Sequence, residues 1–165
     1  MLKSYLFGIT LALSLLMSPA LSGQPPQSKP DPAADRSAVQ QTVEEFLRVL
    51  GQRDIEKLPR FFADKAILVI VRQRAGAFTP TYQTAEEWLA GLRRATNAQT
   101  FEEPLSNISV TVESGHLAHL RAAFRVVRDG KTQSMGVDYF TLVKEGEDEW
   151  KIAMAAYTSL PASGT

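Results

Sequence analysis

Cysteine is absent from the 165-residue sequence, and histidine occurs only twice. Without cysteine the chain lacks disulfides, a thiol nucleophile, thiolate metal ligands and the site for an N-terminal lipid. His116 and His119 are three residues apart on a predicted strand, so their side chains point to opposite faces and cannot ligate one metal ion. The sequence therefore predicts no metal site, and it contains no motif that predicts another cofactor.

No charge of one sign is in excess, because Lys plus Arg and Asp plus Glu number 18 each. A chain with this balance has no basic surface with which to release counterions from nucleic acid, so we expect no nucleic-acid partner. Helices rich in Lys and Arg, which bind membrane surfaces, are missing as well. Neither a Gly-x-Ser-x-Gly elbow nor a glycine-rich phosphate loop occurs, so the signatures of serine hydrolases and nucleotide-binding enzymes are lacking.

The N-terminal residues have the pattern of a signal peptide. Lys3 supplies a positive charge, and residues 6–17 are an almost unbroken apolar run. The triplet Ala20-Leu21-Ser22 places small residues at a cleavage site before Gly23. We therefore expect residues 1–22 to be removed on export to the periplasm or the extracellular space, with no membrane association afterwards. An apolar run this short is typical of a signal peptide, and an uncleaved anchor is the alternative.

The rest of the chain divides into three parts. Residues 23–34 are rich in proline among polar residues, which predicts a disordered tether. Residues 35–160 have the composition and length of one globular domain that can bury a core without metals or disulfides. Residues 161–165 are expected to form a flexible tail.

Three helical segments are predicted in the first half of the domain. Apolar residues at three- and four-residue steps predict a helix over 36–50, with Asp35 as its N-cap. A second, short helix is predicted over 54–62. Thr84 and Glu87 match the capping box of a third helix, which we expect to run to about residue 95.

The strands follow mainly in the second half. Apolar β-branched residues predict a buried strand over 66–71, and glycine and proline predict a loop over 76–80. After residue 101 polar and apolar residues alternate, which predicts strands over 105–113, 116–128, 132–144 and 149–160. Helices followed by a long meander favour an α+β fold, in which the helices pack on one curved antiparallel sheet.

Three stretches of the domain carry a family resemblance. They are Gly-Gln-Arg-Asp-Ile-Glu-Lys-Leu at 51–58, Phe-Ala-Asp-Lys-Ala at 62–66, and a terminal hairpin with Asp-Tyr-Phe-Thr-Leu-Val-Lys at 138–144, Glu-Trp-Lys-Ile at 149–152 and Ala-Tyr-Thr at 156–158. In this order the chain resembles an exported bacterial member of the nuclear transport factor 2-like superfamily, which includes SnoaL-like proteins and ketosteroid isomerases. The resemblance implies a cystatin-like cone, in which a curved antiparallel sheet wraps around N-terminal helices and encloses an apolar pocket. It does not imply one activity.

Strand alternation combined with the resemblance assigns the inward faces of the strands. The predicted ligand pocket has aromatic and aliphatic side chains with few polar groups: Phe46, Leu68, Ile70, Arg72, Trp88, Ala122, Phe124, Tyr139, Thr141, Met154, Ala156 and Thr158. Arg72 either holds an anionic ligand or lies in water at the end of its strand. The residues expected on the outer face of the terminal strands include Val137, Phe140, Leu142 and Ala155.

The resemblance also locates the catalytic positions of a ketosteroid isomerase. The base falls on Ile70, the tyrosine on Phe46 and the oxyanion acid on about Thr141. None of these side chains is a carboxylate, and an enol-forming reaction needs a base within hydrogen-bond reach of the proton that it abstracts. We therefore do not expect isomerase chemistry of this kind.

Three other residues are candidate acids or bases, and each has a structural alternative. His116 follows a turn and is either an acid or base near the mouth of the pocket or a surface residue. Tyr139 is a phenol in the pocket or a core residue with its hydroxyl at the rim. Asp138 faces outward unless a β-bulge shifts the register of its strand.

Three functions are compatible with these observations. The favoured one is non-catalytic binding of a small apolar molecule, because inward polar groups are few. The alternative is a SnoaL-like enzyme of the isomerase, cyclase or dehydratase type that uses His116, Tyr139 or Asp138. The third is an interaction module that forms a homodimer through the outer face of the sheet, and this role is compatible with ligand binding.

Overall fold

A computed structural model describes residues 31–95, 97–146 and 149–162 of the chain. The predicted signal peptide and most of the predicted tether and tail lie outside the described residues. Among the helices that the structure describes, none is long and apolar enough to cross a membrane.

The N-terminal helix is longer than the sequence predicts. α1 spans Pro32–Gly51, and Asp31 is its N-cap because the carboxylate accepts a hydrogen bond from the Ala33 N–H (2.9 Å). Proline at the first helical position is favourable, since its missing N–H has no partner within the helix. Residues 32–34, expected in the tether, therefore belong to α1.

Two shorter helical segments complete the helical layer. A 3₁₀ helix spans Ile55–Phe61, and α2 spans Ala85–Arg94. The predicted capping box of α2 is confirmed: the Thr84 hydroxyl accepts from the Glu87 N–H (3.1 Å), and the Glu87 carboxylate accepts from the Thr84 N–H (2.8 Å).

Six strands form one curved, open sheet. They are β1 (Phe62–Arg74), β2 (Ala77–Thr84), β3 (Leu105–Glu113), β4 (Leu117–Arg128), β5 (Lys131–Glu145) and β6 (Glu149–Pro161). Their order across the sheet is β2-β1-β6-β5-β4-β3. β1 and β6 pair in parallel, and the other neighbours pair antiparallel.

The predicted loop over 76–80 is wrong, because these residues lie in the hairpin of β1 and β2. Ala75 and Gly76 both have positive φ (49° and 83°), and this two-residue turn reverses the chain. Pro80 is tolerated in β2 because β2 is an edge strand of the sheet. Glycine and proline thus indicate a tight turn and an edge strand here.

The core lies between the helices and the concave face of the sheet. α1 contributes Val39, Val43 and Phe46, each at most 3% exposed, and α2 contributes Leu89. Trp150 at the start of β6 is also buried. The predicted α+β class, with helices on one curved sheet, is confirmed.

The side-chain alternation of β5 is opposite to the predicted one. Asp138, Phe140 and Leu142 point inward and are buried, whereas Tyr139 between them is 49% exposed. The expectation that Phe140 and Leu142 lie on the outer face is therefore wrong. Each alternating set of β5 mixes apolar with polar residues, so the pattern alone does not determine which set is buried, and a shift of one residue exchanges the two faces.

A β-bulge changes the alternation along β6. Consecutive residues of β5 pair with Ile152 and Met154, which leaves Ala153 as the additional residue. Ile152 is inward as predicted, but after the bulge Ala155 is buried and Met154 is 39% exposed. The residues predicted inward that lie on the outer face are Tyr139, Thr141, Met154, Ala156 and Thr158.

Candidate functional site

A cavity of about 550 Å³ lies between the helices and the inner face of the sheet. α1 and α2 form one wall, the strands form the other, and the segment before β3 covers one side. Its charged and polar lining residues are Arg53, Arg72, Gln73, Glu103, Arg128, Gln133, Ser134, Asp138, Tyr157 and Ser159. The expectation of an apolar pocket therefore holds for only part of the cavity.

Three rows of directly paired residues cross the inner face from β1 to β4: the first is wholly apolar, and the other two each contain two polar side chains. The deep row is Leu68, Ala155, Phe140 and Leu120; the middle row is Ile70, Tyr157, Asp138 and Ala122; the outer row is Arg72, Ser159, Gly136 and Phe124. Paired residues share a face of the sheet, so Asp138 and Tyr157 are neighbours in the middle row.

Aromatic side chains form the apolar end of the cavity. The ring of Phe46 meets the ring of Phe140 edge to face, with centroids 6.0 Å apart, and lies 6.1 Å from the ring of Trp88. The ring of Phe62 packs edge to face on the rings of Phe46 and Trp88, with centroids 5.4 Å and 6.0 Å apart. Such a wall favours the flat face of an aromatic ligand.

A pair of carboxyl groups, Glu103 and Asp138, is the main polar feature. Burial, the charge of Glu103 and a hydrogen bond to Glu103 together raise the pKa of Asp138 to about 8. Burial also raises the pKa of Glu103 to about 7, against the hydrogen bond with Asp138, which lowers it. Asp138 Oδ2 accepts no hydrogen bond from an N–H or O–H group of the described residues. The two carboxyl groups therefore share a proton at neutral pH.

Glu103 reaches the cavity because the segment before β3 packs tightly on α1. The Phe101 N–H donates to the Gly51 carbonyl oxygen (3.0 Å), and a Cβ at Gly51 would overlap the carbonyl oxygen of Phe101. Glu102 then forms an isolated bridge with Val127 through N–H···O bonds of 2.9 and 2.8 Å. These contacts fix the backbone immediately before Glu103, and β3 begins at Leu105 just after it.

Tyr157 lies between the carboxyl pair and Arg72. Arg72 Nη2 donates to the Tyr157 hydroxyl oxygen (3.2 Å). Burial raises the pKa of Tyr157, Arg72 opposes this rise, and the two carboxyl groups add to it. Tyr157 therefore remains a neutral phenol and can donate its own hydrogen toward a ligand or a carboxylate.

The structure brings part of the predicted pocket together. The predicted residues that line the cavity are Phe46, Leu68, Arg72, Trp88 and Phe124. Ile70 and Ala122 are buried on the inner face but do not line the cavity. The five outward residues of β5 and β6 named above lie outside the site, because the predicted register was shifted by one residue.

Of the three candidate acids or bases, Asp138 alone lies in the cavity. β5 has a bulge at Gln133, but the strand pairs with β4 in regular register from Ser134 through Asp138. His116 is exposed in the turn before β4, so of its two alternatives, a pocket residue and a surface residue, the second is correct. Tyr139 is on the outer face, where its hydroxyl accepts a hydrogen bond from Arg121 Nε (3.2 Å). Glu103 was missed, since an acidic residue in an irregular segment normally faces water.

The described residues contain no group of three or more His, Cys, Asp or Glu side chains that could hold a metal ion. Two of the three positions that the resemblance aligned with isomerase catalysis, Phe46 and Ile70, are buried apolar side chains. The third, Thr141, lies on the outer face beside His119 (Oγ1 to Nδ1, 3.2 Å). The acid chemistry of the cavity therefore rests on Glu103, Asp138 and Tyr157.

Comparison with known proteins supports the resemblance. The family model described as "Putative lumazine-binding" matches residues 34–158. No curated protein matches the chain. One similar solved structure is an NTF2-like protein of unknown function from Pseudomonas putida, with 14% identity, a TM-score of 0.61, and coverage of 76% of this chain and 87% of that one.

Two further solved structures share the fold. A protein of unknown function with a cystatin-like fold from Nostoc punctiforme is 16% identical, with a TM-score of 0.62 over 77% of this chain and 92% of that one. A "Putative Scytalone Dehydratase" from Novosphingobium aromaticivorans is 15% identical, with a TM-score of 0.58 over 77% and 85%. The chain thus has the cystatin-like fold of the nuclear transport factor 2-like superfamily, and it belongs to the family whose model is described as lumazine-binding.

Proposed function

We propose that the protein binds a small planar heteroaromatic molecule in the cavity, with its ring against the Phe46–Trp88–Phe140 wall and a polar edge on the Glu103–Asp138 pair. The shared proton of this pair carries the proposal. A carboxylic acid beside a carboxylate presents one donor and several acceptors. This arrangement is complementary to a ring with an N–H group next to a carbonyl.

Two further facts support this ligand class. The cavity volume of about 550 Å³ lies within the range of about 300–1,000 Å³ typical of small-molecule pockets. Lumazine, named in the description of the matching family, is a flat two-ring compound with N–H and carbonyl groups on one edge. A wholly apolar ligand would displace water from the polar lining residues without replacing its hydrogen bonds, which costs free energy.

Titration with lumazine tests the proposal. Trp88 lines the cavity and Trp150 is buried elsewhere in the core, so we expect saturable quenching of tryptophan fluorescence that is lost in Trp88→Phe. Isothermal calorimetry on the same samples gives the affinity. Absence of saturable binding up to millimolar lumazine would contradict the proposal.

Adjacent alanines of β6 provide matched variants. Ala155 lines the cavity, whereas Ala156 is on the outer face. Ala155→Leu should weaken binding at least about tenfold, equivalent to about 1.4 kcal/mol, and Ala156→Leu should leave it unchanged. Because overpacking at Ala155 also costs stability, Ser159→Leu in the less enclosed outer row serves as a second variant, and thermal unfolding confirms that each variant is folded.

A second candidate function is proton transfer by Asp138 to or from a bound carbonyl compound. The observation that favours it is the pKa of Asp138, which burial raises to about 8, close to the optimum for a general acid or base at neutral pH. Deuterium exchange at the α-carbon of a small enolisable ketone, followed by NMR, tests for this activity. Exchange above the buffer rate that is lost in Asp138→Asn would establish catalysis, and exchange at the buffer rate would confine the protein to binding.

A further inference from the structure

The cavity contains an arginine whose hydrogen-bonding capacity is not used. Arg128, the last residue of β4, lines the cavity, and its guanidinium carbon lies 5.9 Å from the centre of the Phe101 ring. Among the described residues the Arg128 guanidinium has no hydrogen-bond or salt-bridge partner, and its Nε is covered by the protein. A cation held at the cavity without a counter-charge favours a ligand that supplies an acceptor for its terminal N–H groups.

The charges around the cavity also favour an anion. Arg53 is occupied, because its Nη2 donates to the carbonyl oxygens of Leu92 (3.1 Å) and Ala95 (3.2 Å) at the end of α2. Arg72 donates to the Tyr157 hydroxyl, and within the described part of the chain neither Arg72 nor Arg128 forms a salt bridge with a carboxylate. The carboxyl pair, which shares a proton, offsets only part of this positive charge.

We propose that Arg128 binds a carboxylate group of the ligand, so that the preferred ligand is a heteroaromatic carboxylate. This inference rests on the proposed function and specifies its ligand. The two terminal Nη groups of a guanidinium form a fork that matches a carboxylate in two parallel hydrogen bonds. The carboxyl pair then holds the ring edge in the middle row while Arg128 holds the charged substituent. Arg72, on β1 and separated from β4 by two strands, contributes positive charge from the other side of the cavity.

Two ligands that differ in one group isolate this contact. Lumazine-6-carboxylate carries the anion, and lumazine-6-carboxamide has the same shape without the charge. We expect the protein to bind the carboxylate at least about tenfold more tightly than the carboxamide by calorimetry at pH 7 and low salt. The preference should decrease as the salt concentration rises, because added ions screen the charges.

Substitutions on β4 then assign the preference to Arg128. Arg128→Gln should abolish the preference by weakening carboxylate binding, with carboxamide binding changed less than threefold. Arg128→Lys retains the charge but loses the fork, and should keep part of the preference. Arg125→Gln is the control, because Arg125 is exposed on the same strand and does not line the cavity.

The outcomes separate this inference from the function on which it rests. A preference that disappears in Arg128→Gln and persists in Arg125→Gln supports the inference. Equal binding of the two ligands by the unmodified protein, or a preference that survives in Arg128→Gln, overturns the inference and leaves lumazine binding intact. If neither these ligands nor lumazine binds, the proposed function fails and the inference fails with it.

Discussion

The carboxyl groups of Glu103 and Asp138 share a proton inside the cavity, although Glu103 lies in the irregular segment before β3 and Asp138 in the middle of β5. Burial disfavours the charged form of both groups, and the charge of Glu103 further disfavours ionisation of Asp138. The folded protein therefore binds protons that the unfolded chain releases at the same pH. Because of this difference, the pH dependence of the unfolding free energy measures the ionisation of the pair, and this measurement does not require the ligand to be known.

We expect the free energy of unfolding to fall as the pH rises from about 4 to about 8. In the folded protein the pKa of Asp138 is about 8 and that of Glu103 about 7, against ordinary values of 3.8 and 4.5. In this window the folded state binds more protons than the unfolded state. For each additional bound proton, the free energy of unfolding falls by about 1.4 kcal/mol for every pH unit by which the pH rises. Urea unfolding at a series of pH values measures this slope, and the contribution of the pair should be absent below and above the window.

Substitution assigns this slope to the pair. Asp138→Asn removes one of the two carboxyl groups whose pKa is raised by folding, so the unfolding free energy of this variant should depend less on pH. Glu102→Gln is the matched control, because Glu102 is the exposed neighbour of Glu103 and should leave the slope unchanged. An Asp138→Asn variant with the slope of the unmodified protein would show that other groups cause the dependence.

Gly51 should be required for the position of Glu103. A Cβ at this residue would overlap the Phe101 carbonyl oxygen, so Gly51→Ala must displace the segment that carries Glu103. We expect a loss of about 1–3 kcal/mol in unfolding free energy and weaker lumazine binding. Gly91→Ala is the control: only the end of the Arg94 side chain is near, and alanine in a helix should stabilise by about 0.5–1 kcal/mol. Equal effects of the two substitutions would contradict this role of Gly51.

Local patterns predicted the elements of the fold well, and the site less well. The capping box at Thr84 and the strands of the meander follow from residue types a few positions apart, which determine local structure directly. The inward position of Asp138 depends on pairing with distant strands, and its own strand has polar residues on both faces. Glu103 is placed at the cavity by the contacts of its neighbours, Phe101 with Gly51 and Glu102 with Val127, and no local pattern indicates those contacts.

Export is a prediction that depends on the N-terminal residues alone. Expression of the full chain in a bacterial host should yield a periplasmic or secreted protein that begins at or near Gly23, as N-terminal sequencing can establish. Ser22→Arg places a large charged residue at the cleavage site, and the uncleaved precursor should accumulate. Exported protein that still begins at Met1 would instead indicate the uncleaved anchor.

We also expect two copies of the chain to pair through the outer face of the sheet, although through other residues than the sequence indicated. Met135, Tyr139 and Met154 are 40%, 49% and 39% exposed on β5 and β6. Apolar side chains grouped on one face are uncommon in monomers. Sedimentation velocity at tens of micromolar should therefore show a dimer.

A single charge should separate the copies, because burying an unpaired ammonium group at an interface is costly. Tyr139→Lys places that charge in the centre of the exposed apolar group, beside the like charge of Arg121, and we expect it to give a monomer. Tyr82→Lys makes the same change on the edge strand β2, where Tyr82 is 71% exposed, and it should remain dimeric. A monomeric unmodified protein would refute the interface. A Tyr139→Lys monomer that binds lumazine normally would show that dimerisation and ligand binding use opposite faces of the sheet independently.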